Sequence, residues 1–450
     1  MADESWRLTL SEGLRRLGEG SLTASDWVRS LLERIEGCEG RVRAWVHVDR
    51  EGALAAARAL DGRGAGGRSH PLAGAPVAFK DIIDVRGMPR EANSPLYKGY
   101  VPQQDASAAA RLRAAGAILL GKTVTTQFAT SDPPVTRNPW NFGHSPGGSS
   151  SGSAAAVAAG MAPAALGSQT GGSVLRPSAF CGVVGFKPTY GRIPRTGMVT
   201  VSWTLDHVGT ITRSAEDAAR LLTVLAGPDG GDDGSLGAAV PDYASASAPR
   251  RPGRVCFLKE DFLPRASREV AEWTERAAAR MRENGVAVEE GRLPVDFGQL
   301  HAAHRIIMRV EAAAYHDRMF RENVDAYLPE IRHNISSGLM VPAVHYVQAL
   351  RLRARLARET QRLLERYELV VLPSMVEAPP LREKSTGNAL FQEPLTQAGL
   401  PAITLPLGRG EGNLPVGIQL GAGRLREADL LGAARWCEGE LGWRSEIASL

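Results

Sequence analysis

Between Asn138 and Leu175 the chain carries not one Asp, Glu, Lys or Arg, although 23% of all residues are charged. A stretch that long without charge belongs in a protein interior, where small residues pack closely and backbone polar groups pair with one another. It holds two Gly/Ser loops, Gly147-Gly148-Ser149-Ser150-Ser151-Gly152-Ser153 and Thr170-Gly171-Gly172-Ser173, and the first runs directly into the helix-prone segment Ala154–Ala159. On composition alone a Gly/Ser run reads as a flexible linker. Enclosed in an uncharged, helix-prone segment, this one reads instead as a shaped loop. A phosphate-binding loop is excluded, because no Lys-Ser/Thr follows the last glycine.

The rest of the chain fixes the class. Of 450 residues 43% are hydrophobic, which excludes a disordered protein, and aromatics at 6% with 49 glycines favour small-residue packing over an aromatic-rich β-sandwich. Net charge is 53 − 49 = +4 and no Lys/Arg block occurs, so nucleic acid is not expected as a partner. Cys38, Cys181, Cys256 and Cys437 form no CxxC pair and lack a histidine at ligand spacing, so they read as reduced thiols. MADESWRLTL lacks the pattern of a secretory signal. The longest apolar stretch, Ala154–Leu166, contains Gly160 and Pro163 and is too short to span a bilayer. A cytoplasmic protein without membrane partners is the expectation.

Periodicity predicts helices over residues 7–60, with a start at Ser21-Leu22-Thr23, then a glycine loop Gly62–Gly67. Gly74–Asp81 reads as a buried strand ending on Lys80. Asp105 is placed as the cap of a helix carrying Ala109 and Leu112 and closed by Gly116, before a strand Ala117–Leu120. Ser214 and Asp217 have capping-box spacing. Gly227–Gly234 reads as a surface insertion, residues 265–366 as mostly helical, with exposed helices over 266–284 and 349–367. Val370–Pro373, Gly399–Pro406 and Pro415–Leu420 read as further buried strands. This alternation predicts an α/β fold in one domain over residues 1–450.

Pro146–Gly160 (PGGSSSGSAAAVAAG) and Leu166–Pro194 (LGSQTGGSVLRPSAFCGVVGFKPTYGRIP) together resemble the signature region of the amidase signature family. The resemblance extends to APVAFKD, GKTVTTQFA, RNPWN, GLPAITLP and LPVGIQL. It implies a central mixed β-sheet covered by helices on both faces, with a signature core at about 70–215 and 368–440 and a variable helical section at about 235–365. It further implies Ser173 as nucleophile, Ser149 as a bridging serine on a cis peptide, and Lys80 as the ultimate base. Thr170, Gly171, Gly172 and Ser173 then supply backbone N–H groups for an oxyanion hole, and neither cofactor nor metal is needed. These roles make chemical sense. A serine hydroxyl needs a base within reach, and a lysine is a base only when neutral, a state that burial favours. The activity implied is hydrolysis of a small-molecule amide through an acyl-enzyme, with a homodimer left open.

Three departures and three other candidates bear on that reading. Gln169 and Gln127 stand where family members often carry acids, and Leu175 stands where an arginine is common, with Arg176 one position later. Losing acid and base together suggests a neutral arrangement in place of a pair. His301, His304 and Glu311 share a helix as candidate metal ligands, but i,i+3 histidines on a charged helix read first as surface residues. Asp206-His207 could form a Ser-His-Asp triad with Ser173, a reading less favoured than Lys80. Cys181, in an apolar setting, reads as a packed thiol. Two alternatives to a free hydrolase are a glutamine-dependent amidotransferase subunit that passes ammonia to a partner enzyme, and a catalytically silent scaffold.

Overall fold

Pro76-Val77-Ala78-Phe79-Lys80 forms a strand with proline at its first position, where no ladder N–H is lost. The computed structural model describes residues 4–63 and 70–450, so most of the glycine loop expected at Gly62–Gly67 lies outside the described residues. Among the described residues eleven strands make one sheet: β1 (Trp45–Val48), β2 (Pro76–Lys80), β3 (Ile118–Thr123), β4 (Ala164–Gln169), β5 (Val184–Lys187), β6 (His207–Thr212), β7 (Arg254–Phe257), β8 (Ala287–Glu290), β9 (Leu369–Pro373), β10 (Ala402–Arg409) and β11 (Pro415–Ala422). Their order across the sheet is β1-β3-β2-β4-β6-β5-β10-β11-β9-β7-β8.

Pairing is parallel for β3-β2-β4 and β9-β7-β8 and antiparallel through the centre, so the sheet is mixed. Every residue of β2, β3, β4, β5, β6, β9 and β11 is buried. Successive strand residues point to opposite faces, so both faces of this sheet are covered, as the α/β reading expects. Gly121 marks where β3 departs from regular register. Its φ is +147°, and a Cβ there would lie 2.2 Å from the His47 carbonyl oxygen of β1.

Several local expectations change under long-range contacts. Within 7–60 the helices Leu10–Glu19, Ala24–Val42 and Arg50–Asp61 form, and Thr23 caps the second by accepting from Asp26 N–H. Between the second and third lies β1, four residues too short to register against a helical background. Asp105 does not cap its helix. The Ser107–Ala114 helix has Ala106 at its N-cap, and the Asp105 carboxylate instead accepts from Arg86 N–H and the Arg113 guanidinium. Ser214 does accept from Asp217 N–H, but the return half of the box is missing. Asp217 turns away to accept from Leu10 and Ser11 N–H, tying the N-terminal helix to the Ala215–Leu225 helix. The Gly227–Gly234 loop is anchored through Asp232, which pairs with Arg195. No described helix is long and apolar enough to cross a membrane.

Candidate active site

β2 ends at Lys80 with no residue exposed to solvent along its length, so the lysine amine is delivered into the interior. There Nζ donates to Ser149 Oγ at 2.7 Å and to Ser168 Oγ at 2.8 Å. Nζ has no carboxylate partner among the described residues. Burial pushes its pKa well below the ordinary lysine value; Asp206 partly opposes the shift and Arg176 adds to it. Lys122, on the neighbouring β3, shows the contrast. It is equally buried, and burial lowers its pKa as well, but it donates to Asp81 Oδ1 at 2.9 Å, an ion pair that opposes the shift and favours the charged form.

The first Gly/Ser loop is stitched to the sheet, unlike a linker. Ser150 N–H donates to the Ser173 carbonyl (3.3 Å), which brings the Ser149 loop against the loop of Ser173. Ser151 Oγ donates to the Val124 carbonyl and Ser153 Oγ to the Leu166 carbonyl, fastening the Ser151–Ala158 helix to its neighbours. The Gly148–Ser149 peptide is cis. Gly147 has φ +80°, and a Cβ there would meet Pro177 Cα at 2.7 Å, so only glycine fits the turn. The Gly148 carbonyl accepts from Arg176 Nη2 at 2.6 Å.

The second loop follows β4. Its start is held by Asp206, which accepts from Thr170 Oγ1 at 2.6 Å. Burial raises the Asp206 carboxyl to about 6 despite the hydrogen bonds of Thr170, Ser202 and Val201. Its far end is held by Gln169, whose Oε1 accepts from both Val174 and Leu175 N–H at 2.9 Å while Nε2 donates to Thr396. Between these anchors, the N–H groups of Gly171, Gly172 and Ser173 have no acceptor among the described residues. Free, successive N–H groups on an anchored loop can stabilise a developing oxyanion.

The departures noted in the sequence now have local explanations. Gln169 is a neutral clamp, and Gln127 joins the core to the helical section by bonding the Ala326 carbonyl and Leu328 N–H. Arg176 remains a buried cation, lowered to about 10 by burial, on the carbonyls of Gly148 and Gly387. Neutrality is therefore local to Gln169.

The competing constellations do not assemble. His207 Nδ1 pairs with the Leu205 carbonyl at 2.6 Å, while Asp206 turns to Thr170, so the two do not form a His–Asp pair. Burial lowers the His207 pKa well below its ordinary value. Glu311 is spent on Ser202, Thr204 and Tyr346, and His301 Nδ1 pairs with Glu393 at 2.6 Å. His304 is not a surface residue. It is fully buried, on the side of the Phe297–Glu322 helix that faces the second loop. Cys181 is buried behind Pro146, and burial raises its thiol pKa. Ser168 is the contact that residue pattern alone does not reveal, since nothing in its type marks it as a second partner of Lys80.

Ser173 and its loop form one wall of a cavity of about 920 Å³. The Phe297–Glu322 helix lines it through His304, Arg305 and Arg309, and so does the turn at Thr386–Ala389. The helical section between the two halves of the sheet thus shapes the space in front of Ser173.

Comparison with known proteins agrees with this geometry. The chain is 35% identical to a glutamyl-tRNA(Gln) amidotransferase subunit of Roseiflexus sp. (strain RS-1), over 99% of this chain and 98% of that one. It superposes with a TM-score of 0.86 on the peptide amidase of Stenotrophomonas maltophilia, 29% identical over 98% and 99% of the two chains. A TM-score of 0.90 relates it to a chain of a vestigial protein complex associated with an s-triazine catabolic enzyme, 28% identical over 98% and 100%. The profile of the Amidase family matches residues 26–431. With its mixed sheet, its two Gly/Ser loops and a family match across most of its length, the chain belongs to the Amidase family, the amidase signature enzymes.

Proposed function

We propose that this protein cleaves a carboxamide C–N bond through an acyl-enzyme on Ser173, with Ser149 and Lys80 as the proton relay. One observation carries the reading: the Lys80 amine is buried without a carboxylate partner among the described residues and is hydrogen-bonded to hydroxyls. A cation in that setting is disfavoured, so the amine is held ready to accept a proton. Ser173 Oγ attacks the amide carbonyl and its proton passes through Ser149 to Lys80. The oxyanion forms against the N–H groups of Gly171, Gly172 and Ser173, each such donor being worth ~3–4 kcal/mol in a transition state. Collapse expels the amine, which takes the proton back from the relay, and water then releases the acid by the reverse sequence. Neither a metal nor a cofactor is required by these steps. The single sheet built from both core segments supports treating residues 1–450 as one amidase domain.

A second reading places the same chemistry in an assembly, where ammonia from glutamine passes to a partner enzyme. The name of the Roseiflexus relative, at 35% identity over nearly the whole chain, favours it. Ammonia release separates the two. A free hydrolase acts on simple primary amides unaided, whereas an ammonia-supplying subunit prefers glutamine and accelerates when its partners are added.

Both readings share a pH signature. Because the folded Lys80 pKa is depressed and the neutral amine is the competent form, kcat/KM rises as pH climbs through that value and then levels off. A rate profile from acid to mildly alkaline buffer checks this; a rate that falls as pH rises through the acid range contradicts the relay.

A further inference from the structure

His304 is a buried imidazole with neither ring nitrogen hydrogen-bonded among the described residues. It lines the cavity, and a Cβ built on Gly171 would lie only 3.5 Å from its Nε2. Leaving a buried polar group unpaired costs ~1–3 kcal/mol, so such a group facing a cavity is a ligand contact in waiting.

Arg305 and Arg309 continue the same wall. They stand at i,i+4, where like charges repel, and neither has a carboxylate partner among the described residues. Arg309 spends one N–H on Asn334 Oδ1 at 3.1 Å. Burial and the neighbouring Arg305 lower its pKa, outweighing the opposite effect of Glu330. Other acids of the lining are engaged: Asp132 accepts from Glu330 and Ile331 N–H, Glu393 pairs with His301, and Glu383 with Arg382. Glu330 and Glu377 also face the cavity, without forming an ion pair among the described residues.

We propose that His304, Arg305 and Arg309 form a subsite for an anionic group on the substrate, so that the preferred substrates are carboxamides bearing a carboxylate. The inference rests on the amide-cleaving reading of Ser173. A neutral imidazole offers one N–H and each guanidinium offers several, and a carboxylate can accept from all of them. Distance along the helix sets the reach. His304 lies beside Gly171, and five residues at 1.5 Å each place Arg309 ~7.5 Å farther along the axis. A short dicarboxylic acid monoamide can therefore set its amide at Ser173 and its carboxylate on the arginines.

Binding is measured by calorimetry on Ser173→Ala, with the monoamides from succinamate to pimelamate as probes. Each is compared with the primary amide in which an isopropyl group replaces the carboxylate. The expected result is at least one monoamide bound about tenfold or more tighter than its neutral counterpart, the advantage falling below about threefold when Arg305→Gln and Arg309→Gln are added. Retained thermal unfolding of the triple variant separates loss of contact from loss of fold. No monoamide exceeding its counterpart by about threefold, or an advantage that survives both arginine substitutions, overturns the subsite. Because Ser173→Ala need not turn over, failure of wild-type hydrolysis would count against the acyl-enzyme while leaving this binding result to stand.

Discussion

Lys80→Met lowers kcat/KM for any amide substrate by at least ~10³-fold while thermal unfolding stays within a few degrees of wild type. Two lysines in one fold meet opposite surroundings. Lys80 and Lys122 lie near the ends of adjacent parallel strands, both fully buried, yet Lys122 holds a carboxylate and Lys80 only hydroxyls. An amine kept neutral by burial contributes little ionic stabilisation, so its replacement by an apolar chain of similar length leaves the core intact. What disappears is the proton acceptor behind Ser149 and Ser173. The expected KM change is small beside the loss in kcat, because Lys80 is not among the groups lining the cavity. If Lys80→Met instead kept near-normal rates, His207 would return as a candidate base despite its pairing with the Leu205 carbonyl.

The complementary substitution has the opposite outcome. Lys122→Met leaves Asp81 buried just beyond the end of β2 with the N–H groups of Glu91 and Ala92 but no cation. Breaking a buried pair by removing one partner typically costs ~3–5 kcal/mol. Lys122→Met therefore unfolds at clearly lower temperature and denaturant concentration than wild type, as circular dichroism would record. The double variant Asp81→Leu/Lys122→Met recovers part of the loss, and only part, since the Glu91 N–H then loses its acceptor while the Ala92 N–H keeps only the main-chain carbonyl of residue 81. Equal stability of Lys122→Met and wild type would show that the pair contributes nothing.

What could be read before the fold was known follows from where the partners lie in the sequence. The strand ending on Lys80, the strand at Ala117–Leu120 and the buried strands near the C-terminus are local patterns, and they reappear as β2, β3, β9, β10 and β11. Thr23 as a cap was equally legible, because its partner is three residues away. Asp105 and Asp217 were not. Each has the residue type of a cap, but their carboxylates are captured by Arg113 and by the N-terminal helix, contacts that no local spacing displays. The four residues of β1 lie between two helices and pair with β3, far along the chain. At the site itself, Ser168 meets Lys80 across 88 residues. His304 sits on a helix whose charged neighbours point to an exposed face, yet tertiary packing buries it beside the Gly171 loop.

Among the steps proposed, activation of Ser173 is the one on which the others depend. It is tested most directly by intact-mass analysis after treatment with a fluorophosphonate, in parallel with Ser173→Ala. The account predicts a single adduct on the wild type, formed faster as pH rises through the depressed Lys80 pKa, and none on the variant. An adduct of equal yield on Ser173→Ala, or an unmodified wild type that nevertheless hydrolyses amides, would contradict it.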